Sequence, residues 1–339
     1  MHSLETVYKE HPCFGGAKTN KGRIHLPVSP GCNIVCRFCR RVLNDTAQVP
    51  GTTSSVITPD DAVEVIREAL EKCPEIKVAG IAGPGDTLAT PYALETFEKI
   101  NRTYPQLIKC MSTNGLLLAE KAEQVIKAGI ETLTVTVNAV DPKIEAQINR
   151  RIVYHGKTYQ GEEAAEILIH NQLDGIRKVS ASDVLVKVNT VLVPEINGSH
   201  IEEVARTVAQ AGASLFNIIP VIPQAEFADK RAPTCEELDK ARVDAERYIT
   251  VFRHCQHCRA DAIGVPGVFD IGSRIYLKRE IEKRKSLESE KAFAAESAGL
   301  HLASAGYSTV ELEEENMIEK SKFSFSFAVQ TQTATFSHG

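Results

Sequence analysis

From residue 24 onward, short apolar runs alternate with longer segments in which apolar residues recur at helical spacing. The runs IHLPV (24–28), IKVAGIAG (76–83), LIKCMST (107–113), TLTVTVN (132–138), VLVKVNTVLV (184–193) and LFNIIPVI (215–222) predict six strands. Their near-continuous apolar character fits strands covered on both faces. Between them, DAVEVIREALEK brings Val63, Ile66 and Leu70 to one helical face. It follows Thr58-Pro59-Asp60-Asp61, a capping-box start with proline in the first turn. Ser199 with Glu202, and Thr234 with Glu237, predict two more helix starts of this kind. Six strand-helix units in succession predict an α/β fold with a parallel sheet, curled into a barrel or partial barrel. A doubly wound open sheet is the alternative, and in either the reactive residues belong just past the carboxyl ends of the strands.

Beyond residue 268 the pattern changes. FDIGSRIYLKREIEKRKSLESEKAFAAESAGL predicts an appended, charged and partly amphipathic helix, and KFSFSFAVQTQTATFSHG a weak strand or a disordered tail. The expected divisions are therefore an N-terminal segment (1–23), a core (24–266) and a helical or irregular extension (267–339).

With 339 residues, 43% of them apolar, the chain can bury a large core. It has no apolar run of about 20 residues to span a bilayer, and MHSLETVYKEHPC lacks the apolar stretch of a secretory signal, so a cytoplasmic protein without membrane contact is expected. A formal net charge of −5 with no basic cluster argues against nucleic acid as a partner. Nine cysteines in a reducing compartment point to metal or cluster ligation ahead of disulfides.

Three of those cysteines are crowded into GCNIVCRFCRR (31–41), directly after the first strand. Cys32, Cys36 and Cys39, spaced C-x3-C-x2-C, can hold one face of a 4Fe-4S cubane and leave one iron open to chelate a substrate. The spacing alone leaves zinc with a fourth, distant ligand, or buried structural cysteines, as alternatives.

The motif, with Phe38 before its last cysteine, resembles the signature of the radical S-adenosylmethionine (SAM) enzymes. That resemblance implies that the open iron binds the amino and carboxylate groups of SAM. An electron then cleaves the sulfonium to a 5'-deoxyadenosyl radical. It also implies a partial (β/α)6 barrel of the radical SAM type. Gly83-Pro84-Gly85-Asp86 resembles the Gly-rich segment that holds the SAM amino group, with Gly83, Gly85 and Asp86 as its contacts. STNG (112–115), TVTVN (134–138) and KVNTV (187–191) offer Thr113, Asn114, Thr136, Asn138 and Asn189 to the ribose and carboxylate.

HPC (11–13), RIHLPVSPGCN (23–33), GIAGPGD (80–86), STNGL (112–116), VKVNTVLVP (186–194) and HCQHCRADAIG (254–264) further resemble the NifB family, which begins synthesis of the nitrogenase iron-molybdenum cofactor. The family fuses two auxiliary 4Fe-4S clusters into an eight-iron core whose central carbide comes from SAM. The resemblance implies that Cys13, Cys255 and Cys258 hold one auxiliary cluster and that Cys110 helps to hold another. A zinc knuckle is the alternative for Cys255 and Cys258. Cys73 and Cys235 are expected to be bystanders. The implied partners are a reductant such as ferredoxin or flavodoxin, an iron-sulfur cluster donor, and a cofactor carrier or scaffold.

The chain departs from the family in two places. RRVLNDTAQVPG (40–51) lacks the usual further cysteine and E-x-R-P sequence, with Ala47 and Val49 near the expected glutamate and arginine. FGGAKTNKG (14–22) lacks the usual histidine. Cys110 is thus left nearly alone, unless Asn44, Asp45 or an added thiol substitutes. Three readings follow: a NifB-type enzyme with a loosely held second cluster, a diverged radical SAM enzyme with one auxiliary cluster and another substrate, and a non-catalytic iron-sulfur or zinc scaffold.

Overall fold

A computed structural model of the chain describes residues 2–15, 20–40, 43 and 49–282. Strands form at all six expected places: β1 (Gly22–His25), which shares only Ile24 and His25 with the expected 24–28 and ends ahead of Pro27, β3 (Ile76–Ile81), β4 (Ile108–Thr113), β5 (Thr132–Thr136), β8 (Leu185–Leu192) and β9 (Leu215–Pro220). They lie side by side in chain order, every neighbour parallel. No strand reverses the order, so the sheet has no switch point and follows the course of a partial barrel.

Helices α2 (Pro59–Lys72), α3 (Tyr92–Thr103), α4 (Leu118–Lys127), α6 (Gly161–Ser180), α8 (Ile201–Gln210) and α9 (Cys235–Ala245) connect the strands. Their apolar faces pack on one side of the sheet, where Phe97, Val125, Ile176 and Val204 meet Met111, Leu133, Val135 and Val186 in the main core. Shorter helices are α1 (Leu4–Glu10), α5 (Pro142–Ile148) and α7 (Pro194–Asn197).

Thr58 and Thr234 cap their helices through complete capping boxes with Asp61 and Glu237. Ser199 does not: it lies in a 3-10 turn, and α8 starts after His200 without a side-chain cap. In α2 the buried stripe is Ala62, Val65, Ile66 and Ala69, with Leu70 only flanking it and Val63 half-buried. The alanines let the helix approach the sheet closely, and the larger residues fill its margins.

Two features go beyond the sequence pattern. A small antiparallel sheet joins β2 (Ile34–Cys36), β6 (Asn149–Tyr154) and β7 (Lys157–Gln160), so that Cys36 sits opposite Asn149. In addition, β10 (Ile263–Gly264) pairs antiparallel with β1 and covers its free edge. Residues 272–282 are helical, and Ile275 and Tyr276 are buried, so the core extends past residue 266. The remainder of the expected extension lies outside the described residues. Among the described residues, no helix is long and apolar enough to cross a membrane.

Candidate active site

Strand geometry turns alternate residues to opposite faces. On β4, β5 and β8 the core side carries Met111, Leu133, Val135, Val186 and Val188. The other face presents Cys110 and Ser112, Thr134 and Thr136, and Lys187 and Asn189. With Val78 and Gly80 of β3 and Arg23 and His25 of β1, these small or polar side chains line a cavity of about 350 Å³. An ordinary barrel fills this space with branched apolar residues. Here the sequence leaves it open.

Seven of the nine cysteines line this one cavity: Cys13, Cys32, Cys36, Cys39, Cys110, Cys255 and Cys258. The other two do not, Cys73 being buried at the end of α2 and Cys235 exposed at the start of α9.

Cys32, Cys36 and Cys39 occupy the carboxyl end. The loop that carries them is clamped to the 83–86 turn, where Gly85 N donates to Ser29 O at 2.6 Å and Asp86 N to Gly31 O at 2.8 Å. A Cβ on Gly85 would come within 1.9 Å of Gly31 O, so only glycine permits this approach. The buried Asp86 carboxylate accepts from Thr113 Oγ1 (2.8 Å), Asn114 N (2.7 Å) and Leu88 N (3.0 Å), tying the turn to the end of β4. Burial pushes its pKa up, against those three donors. Asn114 in turn donates to Asn33 Oδ1 at 2.7 Å, with Cys32 Sγ at 3.8 Å from the same nitrogen.

Of the residues that the sequence assigned to SAM, Phe38, Gly85, Asp86, Thr113, Asn114, Thr136, Asn138 and Asn189 line the cavity. Gly83 does not; its space is bounded by Ala260 and Gly51. Asn138 and Asn189 also bind internally, accepting from Val191 N at 3.0 Å and Asn217 Nδ2 at 3.0 Å.

Cys13, Cys110 and Cys255 pack instead with Val78, Ile108, Leu185, Leu215, Phe14 and Phe252, an apolar cluster drawn largely from the first halves of the strands. The expectation that reactive residues sit past the carboxyl ends therefore describes only the first three cysteines. Burial pushes the Cys13 thiol up to about 12, opposed by the Lys187 ammonium. Such a thiol gives up its proton to a metal and not to solvent. His11 is 1% exposed, and its Nε2 has no hydrogen-bond partner while Nδ1 accepts from Cys13 N at 3.0 Å. Burial keeps its imidazole neutral, with a pKa well below the usual value. Arg23 reaches Cys258 Sγ, and His25 Nδ1 meets Arg259 O at 2.8 Å.

The radical SAM superfamily matches residues 26–208. The FeMo cofactor biosynthesis protein NifB of Methanocaldococcus infernus is 42% identical over 291 residues, covering 85% of this chain and 96% of that protein. Its counterpart in Methanocaldococcus jannaschii is 46% identical over 268 residues, covering 78% and 89%. The chain belongs to the NifB family of radical SAM proteins. Among solved structures, SuiB of Streptococcus suis aligns with a TM-score of 0.48 at 12% identity, over 68% of this chain and 48% of that one. Members of the superfamily are SAM-dependent enzymes that carry a 4Fe-4S cluster, and this chain is such an enzyme.

The donor set fits that equipment. Among the described residues, no three His, Cys, Asp or Glu side chains converge as ligands of a single ion do. Ligands of a cluster bind different irons, and three thiols lining one end of the cavity suit one with an open corner.

The NifB-like CRADA sequence proves structural in this chain. Arg259 and Asp261 form a buried pair (2.8 Å), Asp261 accepts from Ser54 N and Oγ (2.7 and 2.6 Å), and Ala260 N donates to Thr52 O at 2.8 Å. These bonds fix the loop that presents Cys255 and Cys258. His257 between them has a positive φ of 50°, a strained backbone for a non-glycine residue. Sequence reasoning passed over Arg23, His25 and Lys187. His25 and Lys187 are polar or charged positions inside apolar runs and Arg23 directly precedes one, but only folding shows which neighbours they meet.

Proposed function

We propose that this enzyme performs the radical step of FeMo cofactor biosynthesis, joining iron-sulfur clusters around a carbon atom taken from SAM. The observation that carries this reading is the single cavity into which cysteines from residue 13 to residue 258 converge. Cys32, Cys36 and Cys39 would hold the resident 4Fe-4S cluster. With that cluster and SAM bound, the site supplies reductive cleavage of the sulfonium.

Gly85 and Asp86 hold the cysteine loop against the end of β4, and Phe38, Asn114, Thr136, Asn138 and Asn189 supply the walls around SAM. Phe14 and Phe252 belong to the apolar cluster at the amino end, with Phe252 lining the cavity. Cys13, Cys255 and Cys258 would hold one cluster of the cargo, and Cys110 would contribute to a second. Asn44 and Asp45, the substitutes considered for the missing ligands, lie outside the described residues, as do Lys18 and Thr19. A low-potential donor such as ferredoxin or flavodoxin, a cluster donor and a receiving carrier or scaffold are the partners this chemistry needs, and the cytoplasm is its place.

A second reading rests on Cys110, the only cysteine on β4, with no additional thiol in RRVLNDTAQVPG: the same radical chemistry directed at another substrate beside one auxiliary cluster. One experiment separates the two. Anaerobically reconstituted protein given SAM and dithionite should release 5'-deoxyadenosine and an iron-sulfur species carrying label from the SAM methyl carbon. The Cys32→Ala/Cys36→Ala/Cys39→Ala variant should release neither. 5'-Deoxyadenosine without labelled iron favours the second reading, and none from cluster-loaded protein overturns both.

A further inference from the structure

Four Lys or Arg side chains are buried among the described residues: Arg23, Lys109, Lys187 and Arg259. Three face a carboxylate, Arg23 at 3.1 Å from Asp270, Lys109 at 3.2 Å from Glu131 and Arg259 at 2.8 Å from Asp261. Lys187, 6% exposed, has no ion-pair partner among the described residues. Its Nζ donates to Cys13 O at 3.4 Å, a long bond, and lies 4.9 Å and 5.4 Å from the ring centres of Phe14 and Phe252. Two aromatic faces and one carbonyl offset only part of the cost of burying an ammonium.

No carboxylate among the described residues supplies the counter-charge, and the thiols beside Lys187 point to what can. The ammonium acts electrostatically on the thiols of Cys13 and Cys110, both of which line the same cavity. Thiolate-ligated iron-sulfur clusters carry net negative charge, and that charge helps to set their potential and their grip.

We propose that Lys187 is the counter-charge for an anionic iron-sulfur cluster bound at the Cys13 and Cys110 end of the cavity. Its charge holds in place a cargo for which the sequence provides few thiolates. This rests on the reading of that end as a cluster site. Lys187 therefore acts as a binding residue for the cargo, and the aromatic pair keeps its ammonium in position before the cargo arrives.

The test uses the full chain carrying Cys32→Ala/Cys36→Ala/Cys39→Ala, so that only the cargo clusters remain. Iron release to a ferrous chelator is followed with Lys187, with Lys187→Arg and with Lys187→Met, alongside the reduction potential of the clusters that remain. Lys187→Met should release iron at least about tenfold faster and shift the potential downward, because a neighbouring positive charge favours the more negative, reduced state. Lys187→Arg should stay within about threefold of the parent and keep its potential. Should Lys187→Met fail to fold by circular dichroism, Lys187→Gln is read in its place against the same expectation. Unchanged release and potential in the neutral variant overturn the role of Lys187 alone. A parent that holds no iron overturns the cluster site itself, and the role of Lys187 with it.

Discussion

Arg23 donates from Nη2 to the Sγ of Cys258 at 3.2 Å, from a side chain that is 3% exposed. The same nitrogen lies 3.1 Å from Asp270 Oδ2, and Nη1 donates to Gly264 O at 2.9 Å. The guanidinium is thus fixed from two sides and offers the sulfur a rigid, charged donor. Hydrogen bonds to ligand sulfurs raise the potential of an iron-sulfur cluster and strengthen its attachment. Arg23→Gln should lower the potential of the cluster proposed to be held by Cys258 and weaken its retention by roughly 10–100-fold. Redox-poised EPR and iron counts would show both, and an unchanged potential would mean that Arg23 serves only to anchor β10.

Removal of Cys13 separates ligands from bystanders. Cys13→Ala should cost the protein about four irons, one cluster, while Cys73→Ala and Cys235→Ala cost none, since neither thiol lines the cavity. Iron and sulfide analysis with Mössbauer spectra on reconstituted protein makes the comparison. Equal iron in all three variants would remove Cys13 from the ligand set.

Gly85 and Gly31 meet across the clamp on the cysteine loop, yet they should respond differently to one methyl group. A Cβ on Gly85 collides with Gly31 O, whereas one on Gly31 meets only Thr90 Cγ2 at an ordinary 3.6 Å. Gly85→Ala should displace the loop and reduce 5'-deoxyadenosine release at least about tenfold, while Gly31→Ala stays within about threefold. Comparable losses in both would show that the clamp does not set the position of the cysteines.

Glu145 of α5 is fully buried beside the start of β6, where it accepts a hydrogen bond from Asn149 Nδ2 and leaves Oε2 without a partner. Burial pushes its carboxyl up to about 8 from an ordinary 4.5. The folded protein therefore holds this proton more tightly than the unfolded chain. The stability it contributes is complete below about pH 4.5 and is lost as pH rises through about 8. Glu145→Gln, which keeps the amide contact and cannot ionise, should melt higher than wild type at pH 8 by at least about 3 °C and close to it at pH 5. Thermal melts at both pH values decide; a gain of equal size at each would exclude ionisation as the cause.

Five of the six strands were legible in the sequence as apolar runs, and the first only in part, since β1 is the short GRIH, displaced from the run at 24–28; the parallel order followed from the helices between them. Thr58 and Thr234 announced their helices, but Ser199 imitated the same signal inside a 3-10 turn, because the motif records only two residues and not the local backbone. The short strands β2, β6, β7 and β10 were hidden. Asn149-Arg150-Arg151-Ile152 has too little apolar character to read as a strand, and β10 is two residues long. At the site, the cysteines were legible by type and spacing. Lys187 and Arg23 were not, since their importance comes from the neighbours that folding provides. Gly85 was singled out for close approach to a ligand, but the approach that the structure displays is to the backbone of Gly31.

The antiparallel pairing of β10 with β1 has a consequence in time. Cys13 leaves the ribosome more than 240 residues before Cys255 and Cys258, and β1 has no neighbour on that edge until β10 emerges. At ordinary rates of synthesis the wait lasts roughly ten to fifty seconds. Through that interval Cys32, Cys36 and Cys39 are already extruded, but the opposite end of the cavity has no far wall. With Cys13, Cys255 and Cys258 as the proposed ligands of the cargo, its loading would follow release of nearly the whole core, and a chain that stalls before residue 255 leaves Cys13 without them.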